Sequence, residues 1–216
     1  MDFELDAAEA RVLGSLLEKE IATPEYYPLS LNALINACNQ KTNRDPVVSY
    51  DAAVVENALD GLRAKGLAVR ITGGDSRVPK HAHRLTEKFN LGRREAAVLC
   101  VLLLRGPQTV GELRGRTERL YGFDSLEAVE SILNRLSALE TGAFVKRLQR
   151  QAGFKEVRYA HLFGGDLAER EPEPISDAGP AGPREPGPSD RERIAALEAE
   201  VAALKREFEE FRRRFE

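Results

Sequence analysis

Three observations in the 216-residue chain predict a mainly helical α+β protein of two tandem domains, a disordered linker and a C-terminal coiled-coil helix. A degenerate repeat fills the first 165 residues, the composition breaks after Gly165, and an apolar heptad seam occupies the last 27 residues. The repeat is found by laying one half over the other. Glu9-Ala10-Arg11-Val12-Leu13 with Leu16-Leu17 recurs as Glu95-Ala96-Ala97-Val98-Leu99 with Leu102-Leu103. Ala53-Val54-Val55-Glu56 with Leu59 and Leu62 recurs as Glu127-Ala128-Val129-Glu130 with Leu133 and Leu136.

Each copy opens with a helix whose apolar residues recur at steps of three and four, over residues 5–19 and 91–105. A break follows, at Thr23-Pro24 through Pro28 and at Gly106-Pro107. A second helix is predicted over residues 30–39, with Ser30 as N-cap, and over residues 109–120. The third runs over residues 50–65, stopped by Gly66, and over residues 126–139 before Gly142. The period then becomes strand-like. Leu67, Val69 and Ile71 share a face before a turn at Gly73-Gly74-Asp75 and a return from Val78; residues 144–148 and 157–162 repeat this around Ala152-Gly153. Three helices followed by a hairpin is the order of a winged helix-turn-helix domain. Domain 1 is placed at 1–88 and domain 2 at 89–165.

The Pro/Gly-rich stretch 166–189 carries a net charge of −4 and nothing to pack, so it reads as an acidic linker. The coiled-coil helix at 190–216 carries −1, which leaves the first 165 residues mildly basic at +2. In the tail, Ile194, Leu197, Val201, Leu204, Phe208, Phe211 and Phe215 alternate at steps of three and four. β-Branched Ile194 and Val201 at a with Leu197 and Leu204 at d favour a parallel dimer, in which Glu200 faces Lys205 and Glu207 faces Arg212. Self-association through this helix is expected, against an amphipathic helix lying back on its own domains.

With 42% hydrophobic residues, 6% aromatics and no Trp, the chain holds enough material for cores but little for carbohydrate stacking. The overall net charge of −3 requires any nucleic-acid affinity to come from a local patch. The N-terminus lacks the basic segment and apolar run of a signal peptide, and no apolar stretch approaches a membrane span, so a cytoplasmic protein with no membrane partner is expected. Cys38 and Cys100 read as buried thiols of a reducing compartment. No catalytic motif, dinucleotide fingerprint or phosphate loop is present, and neither an enzyme nor a cofactor is expected. The best metal candidates, His81 and His83 with His161, are read more readily as parts of the hairpins than as ligands.

Three groups of residues are candidates for nucleic-acid contacts. The polar run from Cys38 to Pro46 offers Gln40, Lys41, Asn43 and Arg44 as donors to phosphate or partner groups, although Asn39, Thr42, Asn43 and Asp45 suit local backbone bonding equally. The first hairpin offers Arg70, Arg77 and Lys80, with Arg84, against Asp75; the second offers Lys146, Arg147, Arg150, Lys155 and Arg158 against Glu156. The third helices carry Asp51, Glu56 and Asp60, and Glu127 and Glu130, which phosphates repel; only Asn57, Arg63, Asn134 and Arg135 there resemble readers.

Longer strings resemble the YceH-like family of bacterial proteins. They are Leu16-Leu17-Glu18-Lys19, Thr23-Pro24-Glu25, Tyr27-Pro28-Leu29-Ser30, Cys38 through Arg44 with Pro46-Val47, Leu103-Leu104-Arg105-Gly106, Gln108-Thr109, Gly111-Glu112-Leu113-Arg114, and Tyr159 with His161-Leu162-Phe163. The resemblance covers residues 3–165 and implies a pair of winged-helix domains, with no activity or catalytic residue attached. The expectation is a DNA-binding transcriptional regulator or nucleoid accessory factor. The alternative is a protein-interaction module resembling the tandem winged-helix subunit of bacterial chromosome-condensation complexes.

Overall fold

The computed structural model describes residues 3–73, 76–139, 141–150 and 156–164, with the side chains of residues 76 and 77 left aside. The predicted linker and coiled-coil helix lie outside these residues. The described part is α+β, with seven α-helices and two small antiparallel sheets.

In the first repeat, α1 (Ala7–Ala22) starts two residues later than the apolar spacing suggests. Asp6 accepts from the Glu9 amide while the Glu9 carboxylate accepts from the Asp6 amide, a reciprocal cap that fixes the start. A 3₁₀ turn (Pro24–Tyr26) leads to β1 (Leu29–Ser30) and α2 (Leu31–Cys38), where Ser30 Oγ accepts from the Ala33 amide as expected. Next, α3 (Ala52–Ala64) is capped by Asp51 and stopped where Gly66 takes a φ of +68°, a left-handed conformation that suits a residue without Cβ. The hairpin follows as β2 (Ala68–Gly73) and β3 (Ser76–His83). A short α4 (Leu85–Phe89), which apolar spacing does not reveal, leads to the second repeat.

That repeat contains α5 (Arg93–Arg105), β4 (Gln108–Thr109), α6 (Val110–Thr117), α7 (Leu126–Ser137), β5 (Val145–Arg147) and β6 (Arg158–His161). Thr109 and Glu112 form a second capping box. The sheets are ordered β1-β3-β2 and β4-β6-β5, so in both repeats the short strand before the second helix pairs with the hairpin's return strand, Leu29 opposite His81 and Gln108 opposite Tyr159. Two-residue strands leave too little alternation to be seen in a sequence. The expected face of Leu67, Val69 and Ile71 is incomplete: Leu67 is buried just before the strand, whereas Ile71 is 43% exposed.

Residues Met1–Arg170 cluster as one unit, and the two repeats share one hydrophobic core. The most extensive helix–helix packing is α1 against α5. Gly14 and Cys100 are equivalent positions, 86 residues apart, and they meet one another with the Cys100 thiol 3.6 Å from the Gly14 carbonyl oxygen. A Cβ on Gly14 would stand 2.9 Å from Leu104 Cδ2, so glycine permits the close approach. At the far end Phe144 packs on Phe89 and Phe163, and the Leu5 amide donates to the Phe163 carbonyl at 2.6 Å. The N-terminal segment is thereby tied to the end of the second repeat.

Candidate nucleic-acid interface

The turn between α2 and α3 is held from inside. Arg11 of α1 donates to the Cys38 carbonyl at 3.2 Å and to the Pro46 carbonyl at 2.6 Å, bracketing the turn. Asn39 donates to the Tyr50 carbonyl and accepts from the Tyr50 amide, both at 2.8 Å. Arg44 corrects a sequence expectation: its side chain has no exposed surface. Its guanidinium donates to the Glu18 carboxylate at 2.5 and 3.1 Å, to the Ala37 and Asn43 carbonyls and to Gln40 Oε1. A guanidinium so enclosed cannot reach a phosphate outside the protein. Gln40 is half-buried as its partner, and Asn43, at a φ of +58°, accepts from Arg105 through Oδ1 at 3.0 Å. Lys41 alone of the four candidates is exposed.

On the third helices, Asn57 and Asn134 are exposed, but both arginines have acidic neighbours. Arg63 is bonded to Asp60 one turn earlier. Arg135 reaches Glu95 at 2.9 Å, where the buried carboxylate holds one end of a guanidinium that remains 56% exposed. The first repeat balances the equivalent acid differently. Lys65 pairs with Glu9, and the position matching Arg135 is Gly61, where a Cβ would collide with the Glu9 carboxylate.

The hairpins carry the remaining cations. In the first, Arg70 is exposed and Lys80 half-buried, and Arg84 pairs with Glu87 at 3.0 Å; the Arg77 side chain lies outside the described residues. In the second, Lys146, Arg147 and Arg150 are all exposed. Arg158 on β6 reaches the Pro107 carbonyl at 3.3 Å and Glu112 at 3.6 Å. Lys155 lies outside the described residues, as do Ile194, Leu197, Val201, Leu204, Phe208, Phe211 and Phe215. Among the described residues of this second hairpin, Glu156 is the one acid.

The three histidines are buried or half-buried. His83 is fully enclosed, with Nε2 2.8 Å from Glu20 and Nδ1 accepting from the Leu85 amide at 3.3 Å, so Nε2 carries the proton. His81 is buried with Nδ1 unpartnered, and burial, with Arg63 and Arg70 nearby, lowers its pKa. His161 sits in the other sheet, and burial pulls its pKa down to about 4. Among the described residues no group of three His, Cys, Asp or Glu side chains is placed to hold a metal. Cys38 and Cys100 are free and buried, and burial raises both pKa values.

The polar residues that sequence reasoning missed lie in α1. Arg11, Ser15 and Glu18, at steps of four and three, form one polar stripe in a helix buried from Glu9 to Glu18. Burial would raise the Glu18 carboxyl, but the bond and charge of Arg44, with the charges of Arg119 and Lys19, hold it below the ordinary carboxylate range. The stripe was visible in principle, since charges on an otherwise apolar helix require partners.

The family described as "Protein of unknown function, DUF480" matches residues 5–154. The chain is 65% identical to a "UPF0502 protein" of Solibacter usitatus over the full length of both. It is 54% identical to one of Opitutus terrae across 93% of this chain and 83% of that protein, and 52% identical to one of Pelobacter propionicus over the full length of both.

Proposed function

The chain belongs to the DUF480 family of bacterial proteins, and within it we propose a non-enzymatic, cytoplasmic, tandem winged-helix protein that binds duplex DNA through its hairpins. Both repeats have the order helix, short strand, two helices and hairpin, with the short strand completing the sheet, in support of a winged helix in each. The carrying observation is the second hairpin, where exposed Lys146, Arg147 and Arg150 stand against one described acid. Such side chains fix register on phosphates without reading sequence. The third helices, with Glu56, Asp60, Glu127 and Glu130 exposed and their arginines beside acids, stay out of the major groove. Regulation of transcription or organisation of the nucleoid is the corresponding role. The heptad tail joins two copies through a parallel coiled coil.

Binding to a random-sequence duplex, followed by fluorescence anisotropy against salt, tests this. Log affinity falls linearly with log salt, and charge reversal at Lys146, Arg147 and Arg150 together lowers the slope by about 2 to 3. No binding at low salt removes the proposal. The same acidic helix faces favour the second reading, a docking module for protein segments like the condensation-complex subunit, which then takes its place.

A further inference from the structure

Where the first repeat's α2–α3 turn meets the end of α5 and the segment after α6, a cleft is lined by Glu18, Asn43, Leu104, Arg105, Arg119 and Leu120. Its charges do not balance. Glu18, the carboxylate in the lining, is shared between enclosed Arg44 and half-exposed Arg119. Arg105 has the neutral Asn43 Oδ1 as its bonded acceptor at 3.0 Å. Exposed Asp45 offsets part of the excess, and Arg116 nearby is matched by Glu112 at 3.3 Å. The pKa of Arg105 is depressed, first by burial and then by Arg116, Arg119 and Arg44, with Asp45 opposing.

We propose that this cleft is a binding site for a phosphate group, clamped between Arg105 and Arg119 with Asn43 orienting Arg105. Arg105 and Arg119, from different elements, both line it with Glu18 as the one carboxylate of the lining, and planar forks of this kind take phosphate oxygens bidentately. Because Asn43 belongs to the first repeat and both arginines to the second, an occupant bridges the two. The site is separate from the hairpins and stands whether or not the protein binds DNA.

The test is thermal unfolding of the full chain in inorganic phosphate, and separately in glycerol phosphate, against chloride at matched ionic strength. Phosphate at about five times its dissociation constant is expected to raise Tm by about 2–4 °C. Arg105→Gln and Arg119→Gln lose the rise, while Arg147→Gln on the hairpin keeps it. A rise with inorganic phosphate alone identifies a free anion, and a rise with both identifies a group that a phosphate ester also presents. Should a variant unfold, amide chemical-shift changes in the unaltered protein decide, since they must saturate at Asn43, Arg105 and Leu120. No rise beyond chloride in either arm, an equal rise in the two cleft variants, or shifts confined to the hairpins overturns the site.

Discussion

Glu18 and Arg44 are both enclosed, and such a pair is worth less for its attraction than for what each spares the other. Glu18→Gln leaves a guanidinium buried without its counter-charge, and urea unfolding at neutral pH is expected to show a loss of about 3–5 kcal/mol. The folded carboxyl has a lowered pKa, so its contribution is present above the unfolded carboxylate range and is lost as the pH falls through the folded value. The natural chain is therefore expected to lose stability as the pH falls from the usual carboxylate range towards the lower folded value, and the Gln variant shows a flatter acid limb. The turn from Cys38 to Pro46 illustrates why a polar run misleads. Donor-rich residues suit a phosphate and a backbone carbonyl equally, and only the placement of Arg11 and Glu18 beneath the turn decides that Arg44 faces inward.

Among the elements, the closest fit is that of α1 on α5 at Gly14. Gly14→Ala gains up to about 1 kcal/mol of helix propensity but drives a methyl against Leu103 and Leu104, and a net loss of about 1–3 kcal/mol is expected in chemical denaturation. A neutral or stabilising result would mean that the helices can part without cost. Helices of this chain were legible because period and caps coincide: Ser30 and Gly66 act at the ends that their side chain or backbone implies. The third strand of each sheet was not, because two residues make no period, and α4 was not, because a single turn shows none. The cleft with Arg105 and Arg119 was equally hidden, since it brings Asn43, 62 positions away, to Arg105 with no shared motif.

For the molecule as a whole, the shared core matters more than the boundary that repetition suggests near residue 88. Val12, Leu13, Leu16 and Leu17 of α1 are enclosed in a core that includes α5. Calorimetry of the full chain is expected to show the repeats melting in one cooperative transition, and a fragment of residues 1–88 to unfold at markedly lower temperature than the whole. Two resolved transitions, or a fragment as stable as the parent, would show two autonomous bodies. The symmetry of the two repeats is also broken. One copy leaves a vacancy at Gly61 for the Glu9 carboxylate, while its twin fills the matching place with Arg135 to answer Glu95. The halves are consequently no longer interchangeable: transplanting either third helix into its sister's setting would strand an acid without its counter-ion or force a side chain into occupied space.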